Sequence, residues 1–266
     1  MKKIFNMLII AIAAVTISCQ PSLPPVDTCD NQDNLLLATL YHQRAAEMAA
    51  LSYQAYNIAR FHLDRILETA NDVSRLAIVL DLDETVLDNS AYEARCILEN
   101  VSYPDSWDEW MYAADALALP GSVHFLKYAE TKGISIFYIT NRREKYRDAT
   151  IENLKKLELP LASDNHLLLR TDENSKRARR NEVMNDHEIV MLFGDNLADF
   201  SDVFDGDNTP EHRTALVDSL RFAFGERYIV FPNAMYGDWL NALMDYDFSL
   251  SNSEKIERMK DQLISF

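Results

Sequence analysis

The chain has 266 residues, 48% of them hydrophobic, with 6 glycines and 8 prolines. That is enough apolar material for one large α/β core with a smaller appendage, and it argues against disorder. A formal net charge of −16 argues against unspecific nucleic-acid binding, because phosphate backbones attract basic faces. A phosphate-bearing small molecule remains compatible with that charge if the site supplies its own cations.

Lys2 and Lys3 precede an apolar run from Met7 to Ile17 that meets Ser18-Cys19. The run is shorter than the ~18 apolar residues that span a bilayer, so residues 1–18 read as a signal peptide. Cys19, after small and aliphatic residues, resembles the lipobox cysteine of bacterial lipoproteins, which becomes the lipidated first residue; Thr16 stands where leucine is commoner. An ordinary secretory signal cut nearby is the alternative. Several acyl chains would hold the protein on a bacterial envelope membrane, facing the periplasm or on the outer membrane, without a transmembrane helix. Residues 19–34, with Pro21, Pro24 and Pro25, read as a tether. Cys29 and Cys96 are permitted to pair in an exported protein, but two cysteines make no framework and neither has a neighbour at metal-site spacing.

Residues 35–70 form an N-terminal helical region. Leu37, Leu40, Tyr41, Met48, Leu51, Ala55, Ile58 and Ile66 recur at spacings of three and four, which predicts an amphipathic helix, broken in two or continuous, whose stripe packs on a core. Residues 71–266 carry the main domain, with an aromatic-rich insertion around 91–119 that reads as a cap. Leu76 to Leu80 is a short buried strand, and Val123 to Thr131 a helix closed at Gly133. Ile134 to Ile139 is the next strand, followed by a helix from about Glu144 to Leu157. Leu167 to Leu169, Ile189 to Phe193 and Tyr228 to Phe231 are further strands, and Ile256, Met259 and Leu263 suit a terminal helix. Strands alternating with helices predict a parallel sheet with helices on both faces.

In such sheets ligands bind beyond the carboxyl ends of the strands, and three strands here end in polar clusters: Asp81/Asp83, Thr140/Asn141/Arg142 and Asp195/Asp199. Asp81 and Asp83 lie one residue apart, so they start on one side of the chain as close like charges. Two such carboxylates suggest a metal site, an acid/base pair, or both. Asp81, Asp83 and Asp195 could surround one hard cation; all-oxygen donors suit Mg²⁺, and the scattered histidines do not suit zinc. One carboxylate could act as a nucleophile on phosphorus and the other as an acid and base, with Thr140 and Lys176 holding phosphoryl oxygens.

Asp81-Leu82-Asp83-Glu84-Thr85 resembles the DxDx[TV] signature of the haloacid dehalogenase (HAD) superfamily. Thr140, Lys176 and Gly194 to Asp199 are similar to its second, third and fourth motifs, in the same chain order. The extended run Asp81 to Ser90, Ala50 to Asn57, Thr140-Asn141-Arg142, and Pro232 to Gly237 resemble the class C acid phosphatases of the lipoprotein-e type, also called 5′-nucleotidases. This likeness covers roughly residues 37 to 250 and implies a HAD-like Rossmannoid sheet with a smaller, mostly helical cap and N-terminal region. It implies that Asp81 is the nucleophile, and that Asp83 is the acid/base and lends only its backbone carbonyl to Mg²⁺. Asp195 would complete the protein ligands with Asp199 supporting nearby. Thr140 would bond the phosphoryl group, Lys176 would offset the charge on nucleophile and phosphate, and Asn141 and Arg142 would meet the substrate. Tyr236 and Tyr103 would clamp a nucleobase, and Met235 stands where a second Asn is expected.

These expectations describe an exported, Mg²⁺-dependent phosphomonoesterase acting on nucleotides or on broad organic phosphates, with no nucleic-acid partner. Another HAD chemistry, such as a phosphomutase, is the nearest alternative. A dehalogenase would need neither the metal cluster nor Asp83. A nucleotide-binding surface lipoprotein without catalysis is the alternative of a different class, and it has no use for the full aspartate set.

Overall fold

The computed structural model describes residues 33–160 and 162–266. The signal peptide, Cys19, Cys29 and all but the last two residues of the tether lie outside the described residues. Among those described, no helix is long and apolar enough to cross a membrane.

The N-terminal region is two helices, α1 (Leu36–Arg44) and α2 (Ala46–Thr69), separated at Ala45, whose extended backbone breaks the helical ladder. The stripe read from sequence as core packing is largely on the outside: Leu37 is 81% exposed, and Leu40, Tyr41, Leu51 and Ile58 are also exposed. The buried face is instead Met48, Ser52, Ala55, Tyr56, Ala59 and Leu63, again at spacings of three and four. This face is hard to read because it mixes a hydroxyl and small residues with the apolar ones. Tyr56 stacks among Phe125, Phe193 and Phe231, and its hydroxyl donates to the Thr85 carbonyl at 2.7 Å.

β1 (Leu76–Leu80) is fully buried and lies at the centre of the sheet. β2 (Leu87–Asp88) follows, then α3 (Ser90–Glu99), α4 (Trp107–Ala113) and β3 (Leu117–Ala118). β2 and β3 pair antiparallel, so the aromatic-rich segment leaves and returns to the domain at one point. Beyond it run α5 (Ser122–Thr131), β4 (Ser135–Arg143), α6 (Arg147–Lys156), β5 (Leu167–Arg170) and α7 (Arg177–Asp186). β6 (Glu188–Gly194), α8 (Pro210–Ser219), β7 (Tyr228–Val230), α9 (Asp238–Leu243) and α10 (Asn252–Asp261) complete the order.

The five long strands form one parallel sheet in the order β5-β4-β1-β6-β7. Side chains alternate across it, as a period of two requires. Leu76, Ile78 and Leu80 join Tyr56, Leu63, Phe125 and Leu126 in one layer, while Ala77 and Val79 join Val183 and Phe200 in the other. The chain is therefore an α/β protein with a parallel sheet between helices. The order places the ends of β1, β4 and β6 side by side. β4 runs on through Thr140 to Arg143, three or more residues past the apolar segment that marks it in sequence.

Candidate active site

Asp81 begins the loop after β1, and its N–H donates to the Phe193 carbonyl of β6 at 3.0 Å. Its Oδ1 accepts a hydrogen bond from the Lys176 ammonium, and both side chains are buried. Asp83 turns to a different cation: Arg142 donates Nη2 to Asp83 Oδ1 at 2.7 Å and Nε to the same oxygen at 3.0 Å. Asn89 donates Nδ2 to that oxygen at 2.7 Å and accepts from Trp110 Nε1 at 2.8 Å. The repulsion expected between two adjacent carboxylates is relieved by giving each its own base.

Asp199 joins Asp81 more closely than its expected supporting role requires. Its Oδ1 is 2.6 Å from Lys176 Nζ, and ligand oxygens of Asp81, Asp195 and Asp199 all lie within 4.8 Å of one another. Burial pushes the Asp81 carboxyl up to about 7, with Lys176 opposing and Asp199 and Asp83 adding to the rise. Burial, then the charges of Asp199 and Asp81, pushes Asp195 well above the usual carboxylate range. Burial alone would lower Lys176, but Asp199 and Asp81 outweigh it and hold the ammonium protonated.

Three crowded, oxygen-only donors, of which burial penalises the charged forms of Asp81 and Asp195, fit a hard divalent cation. Asp195 Oδ2 accepts from Asn233 Nδ2 at 2.8 Å, which fixes the carboxylate. Asp199 Oδ2 accepts the Asn196 N–H at 3.0 Å in a reciprocal cap. A Cβ on Gly194 would come within 2.3 Å of that same oxygen, so the glycine lets Asp199 lie against the strand end.

The basic segment 176–180 divides its residues among the strand ends. Lys176 serves Asp81 and Asp199. Arg179 donates to the Thr140 carbonyl at 2.5 Å and to Asn141 Oδ1 at 2.7 Å, tying down the end of β4. Arg180, buried, donates to the carbonyls of Ala198 and Asp199 at 3.0 and 3.1 Å. Arg177 is exposed beside Asp202.

Asp81, Asp83, Asn141, Arg142, Lys176, Asp195 and Asp199 line one cleft of about 640 Å³, together with Tyr103, Trp107 and Tyr236. Its size is within the range usual for small-molecule sites. Tyr103 is 61% exposed and meets Trp107 edge-on at 5.7 Å, so its ring stands free at the rim. Asn233 Oδ1 accepts the N–H groups of Met235 and Tyr236, which sets the Tyr236 turn on the residue that also holds Asp195. Met235 is 1% exposed, which suits an apolar residue at that position. Glu93 of α3 lines the cleft beside Tyr92 and Cys96.

Thr140 and Arg142, both expected at the substrate, make contacts with other residues of the chain. Thr140 is fully buried and does not line the cleft; its Oγ1 accepts the Arg142 N–H at 3.1 Å. Arg142, expected to meet the substrate, has its guanidinium taken up by Asp83 because β4 extends far enough to carry it across. Sequence alone assigns no individual role to Asn89, Arg179, Arg180 or Asn233. For Asn89 the available signal is its place six residues after Asp83 in the same extended motif.

The family model of the HAD superfamily, subfamily IIIB (acid phosphatase), matches residues 19–239. Two structures of the class C acid phosphatase from Bacillus anthracis, one with tungstate bound, are each 45% identical, with a TM-score of 0.85. Each likeness covers 89% of this chain and 99% of the other. Acid phosphatase 1 of Solanum lycopersicum is 29% identical over 159 residues, a match that spans 53% of this chain and 61% of the tomato protein's length.

Proposed function

The chain belongs to subfamily IIIB of the HAD superfamily, the acid phosphatases, and we propose that it is a Mg²⁺-dependent phosphomonoesterase hydrolysing nucleotides or broad organic phosphate monoesters. The observation that carries this reading is the convergence of Asp81, Asp195, Asp199 and Lys176 in one aromatic-rimmed cleft. Tungstate has the tetrahedral shape of phosphate, and its presence in a 45% identical relative supports an oxyanion subsite here.

Asp81 attacks phosphorus, the ester P–O bond breaks, and the leaving oxygen takes a proton from Asp83. A water molecule then returns a proton to Asp83 as its oxygen attacks the acyl-phosphate, and Asp81 and inorganic phosphate separate. Lys176 offsets the charge on Asp81 and on the transferring group. Arg142 and Asn89 keep Asp83 at a set position through both proton transfers. The carboxylates of Asp81 and Asp195, with the Asp83 carbonyl, would hold Mg²⁺, which when bound neutralises phosphoryl oxygens. Tyr103 and Tyr236 offer flat apolar faces to a leaving group such as a nucleoside.

The Lys2 to Cys19 segment supports export and lipid anchoring on a bacterial envelope membrane. Charged nucleotides cross membranes poorly, so hydrolysis outside the cytoplasm would yield a product that can be taken up. The decisive experiment is Asp81→Asn assayed with p-nitrophenyl phosphate and a panel of nucleoside and sugar monophosphates, with Mg²⁺ and with EDTA. Turnover is expected to vanish in the variant and in EDTA while the fold persists. Near-wild-type turnover in either case sinks the reading. Cys19→Ser should move the protein out of the membrane fraction.

A further inference from the structure

We propose that His42, Glu84 and Asp88 form a second cation site, separate from the Asp81 cluster, which takes a first-row divalent ion of the Zn²⁺ type and fastens α1 to the catalytic loop.

The first sign is in α1 itself. Its leucines and Tyr41 face outward, and its buried residues are Thr39 and His42, one turn apart. A helix that turns a hydroxyl and an imidazole inward, and its leucines to solvent, is docked through a polar contact. That contact is incomplete. The His42 side chain is 3% exposed, yet Nε2 makes no hydrogen bond. Thr39 Oγ1 and Thr85 Oγ1, one on the same helix face and one next in chain to Glu84, are also buried without partners. Among the described residues a fourth such atom is known, on Arg213 of α8. Three of the four therefore belong to His42 or to residues flanking this cluster. Buried polar atoms are nearly always satisfied, so a local group of orphans points to an absent polar occupant.

The donors are placed for an ion. One ligand atom from each of His42, Glu84 and Asp88 lies within 4.8 Å of the others. Nε2 is 3.5 Å from Asp88 Oδ1, a poor hydrogen-bond length. Two ligands each ~2.1 Å from a tetrahedral ion stand about 3.4 Å apart, which is this spacing. The donors are also held from behind. The Asn89 N–H donates to Glu84 Oε1 at 2.7 Å, and the Ser90 N–H donates to Asp88 Oδ1 at 2.8 Å. Glu84 is fully buried at a φ of 57°, a left-handed conformation uncommon for residues other than glycine.

The donor chemistry sets the ligand class. One imidazole with two carboxylates suits Zn²⁺, Mn²⁺ or Co²⁺, whereas an all-oxygen set suits Mg²⁺. The ion would join α1 to the loop that carries Asp83, beside the bond from Gln43 Nε2 to the Ser90 carbonyl at 3.0 Å.

The test uses the full chain, stripped with chelator and then saturated with Mg²⁺ so that the Asp81 cluster is filled. Zn²⁺ is titrated by calorimetry with thermal unfolding in parallel, and Co²⁺ is used as a spectroscopic probe. The expected result is one further Zn²⁺ per chain, a raised Tm, and a Co²⁺ d–d spectrum of low-symmetry nitrogen and oxygen ligation. His42→Ala and, separately, Asp88→Asn should weaken that binding at least ~tenfold, while Asp195→Asn leaves it in place. Two variants guard against a fold defect in either. The proposal is overturned if Mg²⁺-saturated protein takes up no Zn²⁺, which would assign the gap to water. It is equally overturned if both variants bind Zn²⁺ as the parent does.

Discussion

Arg142 Nη2 lies 2.7 Å from Asp83 Oδ1, and the arginine side chain is only 2% exposed. Asp83 thus owes its orientation to a side chain from the neighbouring strand, and the fork of Nε and Nη2 constrains it in two directions. Arg142→Lys keeps the charge and loses the fork. The expected outcome is a fall in kcat of about 10- to 100-fold, part of what a positioned acid contributes. The inhibition constant for inorganic phosphate should stay within about threefold if Arg142 positions Asp83. A parallel loss of phosphate affinity would show instead that Arg142 binds substrate directly.

Gly194→Ala tests whether Asp199 must lie against the end of β6. The added Cβ would stand 2.3 Å from Asp199 Oδ2 and 2.4 Å from its Cβ, so the aspartate has to move. Overpacking of this kind costs about 1–3 kcal/mol. The larger effect should be functional, because Asp199 holds Lys176 beside Asp81. Activity at saturating Mg²⁺ is expected to fall by more than the loss of stability explains, with circular dichroism unchanged. Retention of full activity would remove Asp199 from the working site.

The aromatic rim makes a prediction about leaving groups. Stacking a base on an aromatic side chain is worth about 1–3 kcal/mol. Tyr103→Ala and Tyr236→Ala should therefore raise KM for nucleoside monophosphates by roughly tenfold or more, while KM for a small alkyl phosphate barely moves. Equal losses on both substrates would mean that the rings shape the cleft without touching the leaving group.

The strands and the aspartate pair were readable because their signals are local. Apolar runs such as Leu76–Leu80 and Ile189–Phe193 end at the residues that matter. Lys176 was legible as a partner of Asp81 only through motif order, and the pairing of Arg142 with Asp83 was not legible at all. Arg142 reaches Asp83 across 59 positions, and Lys176 reaches Asp81 across 95, so only the folded sheet brings them together. α7 was visible only as a basic patch, because its sequence has no apolar periodicity and it is anchored through arginines on carbonyl groups. The α1 stripe misleads for the opposite reason: its periodicity is regular, but its leucines face solvent while Thr39 and His42 face the core.

Glu93 is the group from which a pH dependence of stability follows. It sits in the first turn of α3, where the helix end favours negative charge, and it lines the cleft beside Tyr92 and Cys96. Burial nonetheless dominates and pushes its carboxyl from 4.5 up to about 7. Below pH 4.5 the group is protonated whether the chain is folded or not, and it costs nothing. Between 4.5 and about 7 the unfolded chain releases the proton while the native chain keeps it, so stability falls as pH rises. Above that the penalty is constant, about 1–3 kcal/mol after allowance for partial solvent screening. Glu93→Gln keeps the shape and removes the titration. Its Tm should equal that of the parent near pH 4 and exceed it by several degrees near pH 8, the gap opening across that window. A gap that stays constant with pH would mean that the substitution acts through packing, and that the Glu93 carboxyl is better solvated than its place in the cleft implies.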